Sequence, residues 1–95
     1  MTKKEQLMDL FDRASSFKDG TFVAVSVRTQ GNNMSEIIIN PFENFEKKKA
    51  YYNKAYTDEM VLNTYNGIRI TSACSFDSGT EYVEIMKMLE DSLFE

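Results

Sequence analysis

Lys47, Tyr51 and Lys54 recur at i, i+4 and i+7, a spacing that stacks side chains along one face of a helix. Cations flanking an aromatic ring suit two kinds of contact. In single-stranded nucleic-acid binding the ammonium groups meet phosphates and the ring stacks on a base. In a protein interface the tyrosine serves as an anchor, a role in which that residue type is enriched. A solvated helix face with one exposed ring is the plainer alternative, because lysine runs carry little specificity. Phe42, Phe45, Tyr52 and Tyr56 cluster on the opposite side of the same helix. They are expected in the core, with the tyrosine hydroxyls at its rim. Lys49 falls among them and is expected to snorkel outward.

Catalytic chemistry finds less support. The 95-residue chain has no histidine, which excludes a Ser-His-Asp triad, a Cys-His dyad and a His-ligated metal. Cys74, the one cysteine, sits at strand spacing from Ile68 and Ile70 and reads as a small buried hydrophobe rather than a nucleophile. Asp58-Glu59 and Glu90-Asp91 are adjacent in sequence, so their side chains diverge and form no acid/base pair. Gly20, Gly31, Gly67 and Gly79 are too widely spaced for a phosphate-binding loop. Asp77-Ser78-Gly79-Thr80 has the composition of an anion-friendly helix start, but Asp77 repels an anion and helix capping accounts for these residues. The expectation is a chain that is not an enzyme, with no cofactor and no metal.

Net charge is -4, unevenly placed. Residues 1 to 57 hold nine basic and seven acidic side chains, whereas residues 58 to 95 hold two basic and eight acidic. The acidic half disfavours non-specific nucleic-acid binding and suits either a basic protein partner or simple solvation of a helix face. A single cysteine cannot form an intrachain disulfide, and Met1-Thr2-Lys3-Lys4-Glu5 does not lead into the apolar run of a signal peptide. Runs such as Phe22 to Val25 are far too short to span a bilayer. Together these point to a cytoplasmic protein that does not enter membranes. Six methionines suit gap-filling in a small core, with Met88 pointing away from Ile85 and Leu89.

The pattern of elements follows from local signals. Thr2 and Glu5 form a capping box before Leu7, Leu10, Phe11, Ala14 and Phe17, which predicts a helix over 3–17 with Gly20 as its stop. Val23, Val25 and Val27 alternate in a strand over 22–29. Gln30-Gly31-Asn32-Asn33 is a turn, and 35–39 is a second strand. Asn40-Pro41-Phe42-Glu43 reads as a helix start running to about Tyr56. Asn66-Gly67 between two strand-like runs, 60–65 and 68–76, predicts a type I′ hairpin. Ser78 and Glu81 form another capping box before the stripe Tyr82, Ile85, Met86, Leu89 and Leu93, in a helix over 79–93.

The expected fold is a single α+β domain of order α-β-β-α-β-β-α, a four-stranded sheet of two hairpins packed by helices. The second helix is placed to act as a crossover between parallel strands. In element order and acidity the chain is similar to small binding modules such as secretion-effector chaperones. That likeness is one of fold level alone, and the protein-binding reading rests on the absence of a catalytic constellation, the acidic C-terminal half and a sheet that can leave an open edge. The expected function is a non-enzymatic protein-binding or regulatory module with a protein partner or self-association. The alternative is a nucleic-acid-binding module using Lys47, Tyr51 and Lys54.

Overall fold

The Thr2 hydroxyl accepts the Glu5 amide at 3.1 Å and the Glu5 carboxylate accepts the Thr2 amide at 2.8 Å. This reciprocal cap starts α1 at Lys3–Ala14, as the sequence predicts. The helix ends three residues before the expected 17. Ser15 Oγ donates to the Phe11 carbonyl at 2.7 Å and Ser16 Oγ to that of Arg13 at 2.6 Å. These hydroxyls satisfy end carbonyls that would otherwise need a further turn. The structure is a computed structural model that describes residues 1–17 and 20–95.

Three strands follow: β1 (Thr21–Thr29), β2 (Glu36–Pro41) and β3 (Ile68–Asp77). They form an antiparallel sheet of order β2-β1-β3. A 3-10 turn at Phe42–Asn44 leads into α2 (Phe45–Ala55), and α3 is Tyr82–Asp91. Between them α2 and the following loop carry the chain from β2, past β1, to β3. Both outer strands oppose β1, so they run parallel to one another. The α+β class holds, but the sheet has three strands, not four, and the two-hairpin order is corrected accordingly.

The missing strand is 60–65. Met60 takes a φ of +60°, rare outside glycine, and its side chain is fully buried. Its amide donates to Thr57 at 2.9 Å, while the Thr57 amide donates to Val61 at 2.8 Å. The chain is therefore curled where a strand would be extended, and only isolated bridges remain, Tyr56 with Leu62 and Val61 with Arg69. The predicted type I′ turn is absent too, since Gly67 does not adopt positive φ. A side chain there would meet the Tyr65 ring at 2.6 Å.

Two predicted caps are also replaced. Asn40 lies inside β2, fully buried, with its Nδ2 donating to the Val23 carbonyl at 3.1 Å. Its Oδ1 accepts no well-formed hydrogen bond, although Asn40 is close enough to the Tyr52 hydroxyl to oppose the rise in that tyrosine's pKa. Pro41 is the last residue of β2. At α3, Ser78 donates its amide to Gly20 at 3.1 Å, and the helix starts at Tyr82 without a side-chain cap.

A bulge decides which side chains share a face. Ser26 opposes Ser72 but Val27 opposes Ile70, leaving Thr71 as the extra residue. Because strand faces alternate with period two, one inserted residue inverts every later side chain. Ile70 and Ala73 thus join Val23, Val25 and Val27 beneath α1 and α2. Cys74 turns to the other face, with Ala24 and the α3 residues Ile85 and Leu89. The expectation that Cys74 shares a face with Ile68 and Ile70 is corrected by this bulge, while its burial holds.

Candidate functional site

The α1/α2 face is closed by rings. Phe11 meets Phe45 edge-on at 5.4 Å and stacks with Tyr52 at 6.0 Å, and Tyr52 contacts Tyr56 at 6.0 Å. Burial pushes the Tyr52 hydroxyl pKa up. It pushes that of Tyr56 up to about 12, with Tyr51 and Tyr52 as lesser contributors. Both stay protonated at neutral pH. On the other face, burial pushes the Cys74 thiol up to about 11, so it carries no appreciable thiolate. Among the described residues, no three His, Cys, Asp or Glu side chains gather where they could hold a metal ion.

The Lys47, Tyr51 and Lys54 ridge is present on the surface of α2, with both lysines exposed. Tyr51 is 49% exposed, yet its ring leans back on Tyr52 at 5.3 Å and Tyr56 at 6.3 Å. Lys48, which the sequence reading left out of the ridge, holds its Nζ 5.7 Å above the Tyr51 ring. Lys49 is half-buried and pairs with Asp12 of α1.

The α3 face is built differently. Its floor is made of small side chains, Ala24, Ser26, Ser72 and Cys74, and α3 buries only Ile85 and Leu89 on it. The predicted stripe of five is therefore only partly covered. Tyr82 and Leu93 are each 63% exposed and Val83 is exposed as well. By helical angle Tyr82, Val83 and Met86 lie on the flank of α3 turned toward β2. Met88, predicted to point away, instead packs against the second small core. A groove of about 460 Å³ lies between α3 and the sheet and reaches the start of β2, with Met34, Ile37, Met86, Leu89 and Leu93 beside Arg28 and Glu90 on its walls.

The two sheet edges also differ. Beside β3, Val61 bridges Arg69 and Leu93 bridges Ser72, and the Phe94 amide donates to Thr71 at 3.0 Å. Among the described residues no segment bridges the outer edge of β2. That edge carries three consecutive isoleucines, Ile37, Ile38 and Ile39, and Ile39 is 44% exposed. Ile37 and Ile39 oppose Ser26 and Ala24, which puts them on the α3 face beside the groove. The sequence reading allowed for an open sheet edge but did not place it on β2. Its signal was the unbroken Ile run, since a strand covered on one face only alternates apolar with polar.

No protein-family model, no curated protein and no solved structure matches this chain. The fold-level likeness to effector-chaperone modules therefore gains no support, and the three-stranded topology removes its basis in element order. No helix among the described residues is long and apolar enough to cross a membrane.

Proposed function

We propose that this chain is a cytoplasmic, non-enzymatic protein-binding module whose partner is a second copy of itself, joined edge to edge along β2. The carrying observation is the open β2 edge, with its isoleucines continuous with the uncovered flank of α3. Natural edge strands are commonly protected by lysines, inward charges, bulges or a covering segment. Here Glu36 and Pro41 stand only at the ends of the strand.

The strand is complementary to itself. In antiparallel pairing about Ile38, Ile37 faces Ile39 of the second copy and Glu36 faces Asn40, so no like charges oppose. Pro41 has no N–H to donate and limits the joint to the residues before it. A strand pair this short buries less than the roughly 800 Å² per partner of a stable complex. Tyr82, Val83 and Met86, on the same side of the sheet and facing the joint, supply further apolar surface. Cys74 is buried and unpaired, which fits a small hydrophobe in the second core.

The Lys47, Tyr51 and Lys54 ridge supports the nucleic-acid alternative less well. Lys48 occupies the space above the Tyr51 ring, and Tyr52 and Tyr56 abut it. These neighbours compete with a base for the half-exposed ring.

Sedimentation equilibrium of the native chain and of Ile39→Lys tests the proposal. The native chain is expected to be a dimer, and the variant a monomer with unchanged circular dichroism. A native chain that stays monomeric at the highest attainable concentration overturns it.

A further inference from the structure

We infer that Arg28 and Arg69 form a binding site for a dianionic phosphate group, at the end of the sheet away from the start of α3. This site is separate from the β2 joint and does not rest on it. The two arginines are direct cross-strand partners on β1 and β3. Alternation from Ala24 and Ser26 along β1 places Arg28 on the α3 face. Ile68 and Ile70 point to the α1/α2 side, so Arg69 shares the α3 face with Arg28. Directly opposed residues hold their Cβ atoms about 5 Å apart, where like charges repel.

Nothing among the described residues relieves that repulsion. Neither guanidinium has an ion pair or a hydrogen bond, in a chain whose net charge is -4. Carboxylates are near but not engaged. Glu90 borders the adjoining groove with Arg28. Glu59 shares a hollow with Arg69 but lies 3.9 Å from Lys3 instead. An acidic surface that leaves two facing arginines unneutralised leaves room for an external anion.

The surroundings suit an oxyanion. Arg28 and Arg69 line an open hollow of about 480 Å³ with the 30–33 turn, Thr29, Gly67 and Thr71, and no carboxylate borders it. The turn is tied in place, with the Gln30 amide donating to Gly67 at 2.7 Å and the Asn32 amide to Thr29 at 3.0 Å. Asn32 Oδ1 accepts the Met34 amide at 3.1 Å. Gln30 and Asn33 add neutral side-chain donors around the guanidinium pair. Planar guanidinium forks match tetrahedral oxyanions through paired hydrogen bonds, and two of them balance a dianion better than a single carboxylate. The hollow is larger than inorganic phosphate, which suits a phosphate monoester on a small molecule.

The test is an amide and arginine Nε–H NMR titration of the full chain. Inorganic phosphate and glycerol phosphate are compared with chloride at matched ionic strength. Saturable shifts at Arg28, Arg69 and residues 30–33 are expected, with glycerol phosphate binding more tightly than inorganic phosphate. Affinity is expected to fall at least about tenfold in Arg28→Gln and in Arg69→Gln. Both exposed-site variants should melt no lower than the native chain without phosphate and lose the rise in melting temperature that phosphate confers on it. Shifts that follow ionic strength alike for chloride and phosphate, or that persist in both variants, overturn the proposal. Retention of a single-stranded oligonucleotide without monoester binding replaces it with a nucleic-acid surface.

Discussion

The two faces of the sheet are made by the same strands yet are finished differently. Toward α1 and α2 the strands present Val23, Val25, Val27 and Ile70, met by Leu7, Phe11, Phe45, Tyr52, Tyr56 and Met60. Toward α3 they present the small residues Ala24, Ser26, Ser72 and Cys74, flanked by Ile37 and the stacked rings of Phe22 and Phe76, and met by Ile85, Met88 and Leu89. Burial of apolar area scales the stabilisation, so the first face holds the fold together. The second face retains apolar surface that the chain itself does not cover. Its small floor residues let α3 sit close, but one helix does not span the width of three strands. The first face is thus built for stability, and the second carries the apolar surface proposed above for self-association.

The largest test of this division is truncation within the ring cluster. Phe11→Ala is expected to cost about 3–5 kcal/mol in chemical denaturation, because it removes a fully buried ring and leaves a cavity. Leu89→Ala, on the α3 face, is expected near the lower end of the leucine range, about 2 kcal/mol. Equal losses for the two substitutions would break the comparison.

Alkaline unfolding reads the faces separately. Cys74 and Tyr56 hold their protons more tightly when folded, so the unfolded chain ionises first. The stability each contributes is intact below the unfolded pKa and is lost as pH rises toward the folded one. For Cys74 on the α3 face that window runs from 9.0 to about 11. For Tyr56 at the end of α2 it runs from 10.0 to about 12. Cys74→Ala should remove the earlier fall in unfolding midpoint and Tyr56→Phe should reduce the later one, as followed by tyrosinate absorbance. A midpoint flat from pH 9 to 12 would contradict both assignments.

Smaller effects sharpen the same contrast. Thr2→Ala opens the cap of α1 and should destabilise by about 1 kcal/mol, while leaving self-association of the native fold unchanged in sedimentation. Charge reversal on α2, Lys47→Glu with Lys54→Glu, should move stability by no more than about 0.5 kcal/mol and leave the dimer intact. Salt-sensitive oligonucleotide binding by the native chain, lost in this double variant, would instead assign the ridge a nucleic-acid role.

What could be read in advance depended on range. The Thr2–Glu5 cap, the β1–β2 hairpin and the buried side of α2 involve residues within a turn or two of each other, and their patterns carried through. The ridge residues Lys47, Tyr51 and Lys54 were also readable, because helical angle alone puts them on one side. Tyr51 settling onto Tyr52 and Tyr56 was not, since side-chain direction depends on neighbours as well as angle. The Asn40-Pro41 signal misled because the same residues that cap a helix can end a strand. A buried amide reaching the Val23 carbonyl outweighed the local preference.

Local pattern in the sequence was enough for the α+β class, the three helices, the cap of α1, all three strands to within two residues, and the burial of Cys74. These rest on periodicity and on hydrogen bonds between near neighbours, and such terms are present in any stretch of chain. Packing of distant segments was needed to curl 60–65 rather than pair it, to bulge Thr71 and turn Cys74 toward α3, to leave β2 as an open edge, and to set Arg28 against Arg69. Each of these depends on which distant segment occupies the adjacent position. A strand's partner, its register and the unused edge that remains are set by packing the whole chain around one core.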